Sequence, residues 1–464
     1  MQVTRTLRPF FLLSAALFLS SCGDVNKDLV SAIRQGDSQA VEQLLAKGAD
    51  PNLEVAKTVT VLDKDAQNEI DYPKGTTVLM VAAENGSQPI VEALVKAGAK
   101  LDFKDKEGLN ALMRAIEAGQ PEVTEYLIGQ GADLAATDNS GKTPLMIAAS
   151  AGKDRCIPIL LGAGAQASAP DATGRNPLIY AAIEGHASTV DLFLNAGCKP
   201  DDTDSSGWTA LMWSALGGHL DAARILLERG AQIDLKDKTS RTALMVAASE
   251  GHSELVKLLL EKGADPRAAD SESRTALMLA ASNGRTETVN LLLDEGAEVD
   301  VWTNDGRTAL MWASMSGHAD TIRSLVKRGA KVNAKDRDGW TPLMWAASKG
   351  QAEATATLLE LGARPNVKDR QGVPILALAA QSSSPETLRA MLQHKADTEI
   401  TDKNGLTPLM YAAYEGQIEN VKALLEAGSN PKARARDGST TARILADQQQ
   451  FKEIAQLLSE AERK

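Results

Sequence analysis

A seven-residue phrase recurs along most of this chain at one fixed interval. Thr-Val-Leu-Met-Val-Ala-Ala begins at Thr77, Thr-Pro-Leu-Met-Ile-Ala-Ala at Thr143, Thr-Ala-Leu-Met-Trp-Ser-Ala at Thr209, Thr-Pro-Leu-Met-Trp-Ala-Ala at Thr341 and Thr-Pro-Leu-Met-Tyr-Ala-Ala at Thr407. The unit starts 77, 110, 143, 176, 209, 242, 275, 308, 341, 374, 407 and 440 are each 33 residues apart. A further copy begins at Lys27, 50 residues before Thr77, which is one period plus a 17-residue insertion between Leu53 and Lys74. Thirteen short units that cannot each enclose a core must bury their apolar faces on their neighbours, so the core of the 464-residue chain is expected to grow lengthwise.

Each unit has a physical reading. The threonine is a good helix N-cap, and Pro144, Pro342 and Pro408 stand at the first helical position, where a missing N–H costs nothing. The helix runs through positions such as Leu343, Ala346 and Ala347, whose small side chains permit close approach, in keeping with only 4% aromatic residues. It ends at a glycine offset shared by Gly86, Gly119, Gly152 and seven later glycines. A second helix presents paired leucines, as in Leu226-Leu227, Leu259-Leu260, Leu292-Leu293 and Leu424-Leu425, and closes at Gly230, Gly263, Gly296 or Gly329. An extended piece carrying Asp and Gly follows, and its composition predicts a tight β-hairpin turn.

This helix, helix and hairpin pattern resembles the ankyrin repeat over residues 27 to about 460. The resemblance implies an all-α repeat solenoid of about 13 stacked helix-turn-helix units with β-hairpin fingers projecting from one side. One departure is systematic. Where the family has histidine after the leucine, nine units here have methionine: Met80, Met113, Met146, Met212, Met245, Met278, Met311, Met344 and Met410. The bridging imidazole is replaced by an adaptable thioether expected to fill the same space. The unit at 374 lacks both terminal glycines, with Ser383 and Lys395 in their place and Pro374 at the cap, and is expected to be a softer joint. The last copy, 440–464, carries Arg443, Gln448, Gln449, Gln450 and Lys452, as a polar capping repeat should. Residues 53–73, with Val55, Val59 and Val61 alternating, read as an enlarged finger between the cap repeat 27–52 and the array 77–439.

The N-terminus reads as a targeting signal. Arg5 and Arg8 precede an uncharged apolar stretch from Pro9 to Leu19 that is short for a membrane span. Leu19-Ser20-Ser21-Cys22 resembles the bacterial lipobox, which implies cleavage of residues 1–21, lipidation of Cys22, and a short linker 22–26. An ordinary signal peptide and an uncleaved anchor are the alternatives. The expected location is the bacterial cell envelope, with the protein lipid-anchored and facing the periplasm; which membrane holds it stays open. The chain carries a net charge of −11, and −13 once Arg5 and Arg8 are removed. With no basic stripe, a nucleic-acid partner is excluded.

Little in the sequence points to catalysis. His186, His219, His252 and His318 share the offset just after the helix-ending glycine, a usual ankyrin histidine position, and read as structural; His394 stands alone. No His-Glu-x-x-His, phosphate loop, nucleophile elbow or paired-cysteine zinc spacing is present, so no metal and no cofactor are expected. Cys156 and Cys198 are expected to be free, buried thiols.

The remaining signal is aromatic. Trp208 and Trp340 stand just before the capping threonine, Trp213, Trp312 and Trp345 just after the methionine, and Trp302 in a finger between. Tyr180 and Tyr411 share the second offset, while Arg175, Arg241, Arg274 and Arg307 share the first, giving an alternating Arg/Trp ladder. By the resemblance, these offsets face the concave groove of fingers and first helices. Trp, Tyr and Arg carry much of the binding energy at interfaces; the bland alternative is that they pack on one another. The expected function is a monomeric, non-catalytic scaffold that binds a protein partner from Tyr180 to Trp345. A small-ligand receptor or enzyme using the groove or the 53–73 insertion, and a self-associating organiser, are the other readings.

Overall fold

The computed structural model describes residues 25–55 and 72–463. The expected signal segment, Cys22 and the bulk of the insertion, including Val59 and Val61, lie outside the described residues.

The described residues fold into 26 helices in 13 pairs, which are organised as two compact units. One comprises residues up to Ile147 together with Pro158–Ala165; the other comprises Ala148–Ile157 and Gln166–Lys464. In the first unit, the first helices Val25–Gln35, Val78–Asn85 and Ala111–Ala118 pack in sequence, and the second helices Ser38–Ala46, Gln88–Lys96 and Pro121–Gly129 form a parallel layer. The second unit repeats this arrangement from Pro177–Ile183 and Ala187–Asn195 to Ala442–Gln448 and Lys452–Arg463.

The local rules are visible at several starts, though the side chains of Thr275 and Thr308 make no cap bond. Thr209, Thr242 and Thr341 accept the N–H of the residue three positions on, always the methionine, at 3.3 to 3.4 Å. The same methionine answers for the missing imidazole in part: the Sδ atoms of Met80, Met146 and Met410 accept the cap residue's own N–H at 3.4 to 3.5 Å. Between repeats, the core is a double row of fully enclosed leucine and alanine, as at Leu211, Ala215 and Leu226. Truncating such a leucine to alanine should cost about 2–5 kcal/mol.

The helix-ending glycine offset is also explained. Gly284 has φ +67°, and a Cβ there would sit 2.6 Å from Nδ1 of His318 in the next repeat. That histidine belongs to a recurring device. His186, His219, His252 and His318 each donate Nε2–H to a carbonyl near the end of the preceding first helix, at 2.9 to 3.1 Å. Gln120, Arg285, Gln351 and Gln417 make the same bond elsewhere. These side chains satisfy carbonyls that a helix end leaves orphaned.

Two expectations are corrected. The β-hairpin fingers are not formed: the described residues contain no β-strand, only five isolated antiparallel bridges, such as Ala269 with Thr275 and Trp302 with Thr308. The reversal is held by side chains instead of a ladder. In Asp204, for example, Oδ1 accepts the N–H groups of Ser206 and Trp208 at 2.8 and 3.0 Å, which leaves too few backbone groups to pair as strands. Each unit is therefore an all-α array of stacked helical repeats, about 13 in all among the described residues, whose fingers are turns. The start at 440 is also displaced by one residue: Thr441 caps the helix Ala442–Gln448 and accepts from Ile444 N–H at 3.4 Å. Around the insertion, Glu54 bridges Thr77, and Val55 N–H donates to Thr76 at 2.8 Å, so its two described flanks are joined at the base.

Candidate functional site

The turn aspartates position the candidate residues. With Oδ1 spent on the turn, Oδ2 points toward the first helix and takes the polar end of a larger side chain. Trp213 Nε1–H donates to Asp204 at 3.1 Å, Trp345 to Asp336 at 3.0 Å, Tyr180 hydroxyl to Asp171 at 2.6 Å and Tyr411 hydroxyl to Asp402 at 3.0 Å. The tryptophans before the cap use the next turn along: Trp208 donates to Asp237 at 2.9 Å and Trp340 to Asp369 at 3.3 Å.

These bonds fix the rings in tilted contact, with interplanar angles of 51° and 49°. Trp208 and Trp213 lie with centroids 4.8 Å apart, flanked by Arg175 over Trp213 at 4.7 Å and Arg241 over Trp208 at 5.2 Å. Trp340 and Trp345 lie 4.6 Å apart, and Arg307 sits 4.3 Å over Trp345 and 5.5 Å over Trp312. Both clusters belong to the second unit, and all of these tryptophans and arginines are half-buried, with one side facing solvent. Cation–π contacts of this kind contribute about 0.5–2 kcal/mol each, so the clusters are stiff before anything binds.

The structure does not bring the whole predicted row together. Among the described residues Arg274 stacks on no ring; it is held by Asp270 at 2.8 Å and Glu272 at 3.3 Å, and it divides the row into two clusters. Tyr180 is buried at 6% exposure. Trp302 is apart from both clusters and is 68% exposed. Trp312 has its Nε1 enclosed without an acceptor, because the turn residue of its repeat is Thr303 instead of aspartate.

Electrostatics follow the same geometry. Burial alone would raise the Asp237 carboxyl, but the N–H groups of Arg241 and Thr239 and the Thr239 hydroxyl hold it below the usual range. Burial, then the hydrogen bond to Asp402, pushes Tyr411 up to about 12. In the sequence these aspartates read only as turn formers. Their second role is signalled by their constant register, nine residues before the aromatic offset. Cys156 and Cys198 are both buried, and burial raises the Cys198 thiol. Among the described residues, no group of three or more His, Cys, Asp or Glu side chains is placed to hold a metal ion, and no helix is long and apolar enough to cross a membrane.

Comparison with known proteins gives one result. A family model described as ankyrin repeats (3 copies) matches residues 29–138, 130–204, 187–270, 244–336, 277–369 and 365–437. No curated protein matches the chain as a relative.

Proposed function

The chain belongs to the ankyrin-repeat family, and from that premise we propose that it is a non-catalytic scaffold that binds a protein partner through the half-buried Trp/Arg clusters of its second unit. The observation that carries this reading is the pair of preassembled clusters, Arg175–Trp213–Trp208–Arg241 and Trp312–Arg307–Trp345–Trp340. Flat, amphipathic side chains whose rotamers are already locked lose little entropy when a partner covers them, which is what an interface hot spot needs. The same clusters offer no nucleophile and base pair, and no convergent set of titrating groups of the kind catalysis requires.

The tether is a further part of the proposal. Residues 1–21 and Cys22 have the pattern of a lipoprotein signal, which would hold the repeats at the bacterial cell envelope on its periplasmic side.

The test is affinity for a partner captured by cross-linking in the native host. Replacing Trp213, Trp312 and Trp345 together by alanine should weaken binding by at least about a hundredfold while leaving the helical signal intact. Unchanged affinity in that variant would show the clusters to be packing alone.

A further inference from the structure

The finger before Thr308 breaks the pattern of its neighbours. In the fingers on either side of it, the residue after the turn aspartate donates its backbone N–H to the preceding finger, Ser271 to Thr239 at 2.9 Å and Arg337 to Asp305 at 3.0 Å, as Ser205 does to Thr173 at 2.8 Å and Arg370 to Asp338 at 3.1 Å. Asn304 makes no such bond, and Thr303 stands where the aspartate should be. At the position just before it, where other fingers carry Thr203, Ala269 or Lys335, this one carries Trp302. The bridge to Thr308 holds its backbone, yet the indole is 68% exposed.

Trp302 forms one wall of an open pocket of about 400 Å³ in the second unit. Lys331, Lys335, Arg337 and Arg370 line it with two carboxylates, Asp300 and Asp336. Both carboxylates are occupied. Asp300 pairs with Lys331 at 3.6 Å, while Asp336 is buried and accepts from Asp338 N–H, Trp340 N–H and Trp345 Nε1–H. Lys335, Arg337 and Arg370 are exposed and have no ion-pair partner among the described residues. Three uncommitted cations beside a bare indole are unexpected on a chain of net charge −11, in which Asp and Glu number 61 against 50 Lys and Arg.

We propose that this pocket binds an acidic segment of a protein partner, its carboxylates on Lys335, Arg337 and Arg370 and a flat side chain stacked on Trp302. The inference rests on the protein-binding reading above and names the chemistry of one contact. The confinement of the cations to a single pocket fits a short acidic stretch. A nucleic acid would need a continuous basic track and would be repelled by the rest of the surface. A second copy of this chain would bring another −11 charge against the first.

The experiment uses the full chain and a fluorescein-labelled peptide, Gly-Asp-Glu-Phe-Asp-Glu-Gly, followed by fluorescence anisotropy, with its Lys-for-acid counterpart as control. The acidic peptide should bind saturably and the basic one not at all. Trp302→Ala, or Arg337→Glu with Arg370→Glu, should each weaken binding at least about tenfold, and added salt should weaken it further. Lys335→Glu is the milder variant should the double one lose helical signal. Absence of saturable binding, or equal binding by all variants, overturns the proposal. So does equal competition by an oligonucleotide of matched charge, or a dimer in sedimentation that Trp302→Ala dissolves. None of Trp213, Trp312 and Trp345 lines this pocket. Loss of partner affinity in that triple variant, without acidic-peptide binding here, would therefore remove this site and leave the scaffold reading standing.

Discussion

A carboxylate has two oxygens, and the turn aspartates use them for different ends: Oδ1 closes the finger turn and Oδ2 anchors an aromatic ring. This explains why the ring positions recur with the turns, and it couples their stability to pH. Asp171 and Asp237 feel burial, which would raise them, but hydrogen bonds outweigh it: Tyr180 and Thr173 chiefly at Asp171, Arg241 and Thr239 at Asp237. A carboxyl depressed in the folded state contributes stability that is present above its unfolded value, 3.8, and is lost as pH falls through the folded one. Thermal stability should therefore decline below about pH 4, and Asp171→Asn with Asp237→Asn should flatten that acid limb. An unchanged slope would show that these two carboxyls are not held down. The pairing of Trp208 with Asp237 lay beyond sequence reasoning because the partner belongs to the next repeat, 29 residues on. Likewise, Arg274 fits the row by spacing alone, and only its capture by Asp270 and Glu272 shows that the row is two clusters.

At the scale of the element, the helices were legible because their rules are local. A capping threonine, a small-residue face and a closing glycine each act within a few residues. The fingers were less so: Asp and Gly forecast a reversal correctly, but whether strands follow depends on how many backbone groups remain free to pair, and here the aspartate takes them. The repeat at 374 shows a different compensation. Its helix Ile375–Gln381 ends at Ser382 in extended conformation, without a left-handed glycine. The buried Asn420 of the next repeat reaches across and donates to the carbonyls of Ala380 and Ser382 at 2.9 and 2.8 Å. Asn420→Ala should strand both carbonyls, destabilise the protein by about 1–3 kcal/mol, and raise amide exchange in 375–382 before other repeats. Uniform exchange across the second unit in that variant would mean that the joint does not depend on Asn420.

On the scale of the whole molecule, repetition supplies the frame, and departures from it mark candidate function. Two Trp/Arg clusters and the Trp302 finger all fall between residues 175 and 370, whereas repeats outside that span carry few aromatic residues at these offsets. The proposed lipoprotein signal adds a prediction of place. A metabolically supplied alkyne fatty acid should label the chain in its host, and Cys22→Ser should abolish the label and release the protein from membranes. Labelling that survives the substitution would put the lipid elsewhere. The central claim, that the Trp/Arg clusters are where a protein partner docks, is tested most directly by photo-cross-linking in cells, with the photoreactive residue placed in turn at Trp213, at Trp345 and on the outer surface of the second helices at Arg224. The account predicts one protein partner captured at 213 and 345 and none at 224; capture only at 224, or at no position, would contradict it.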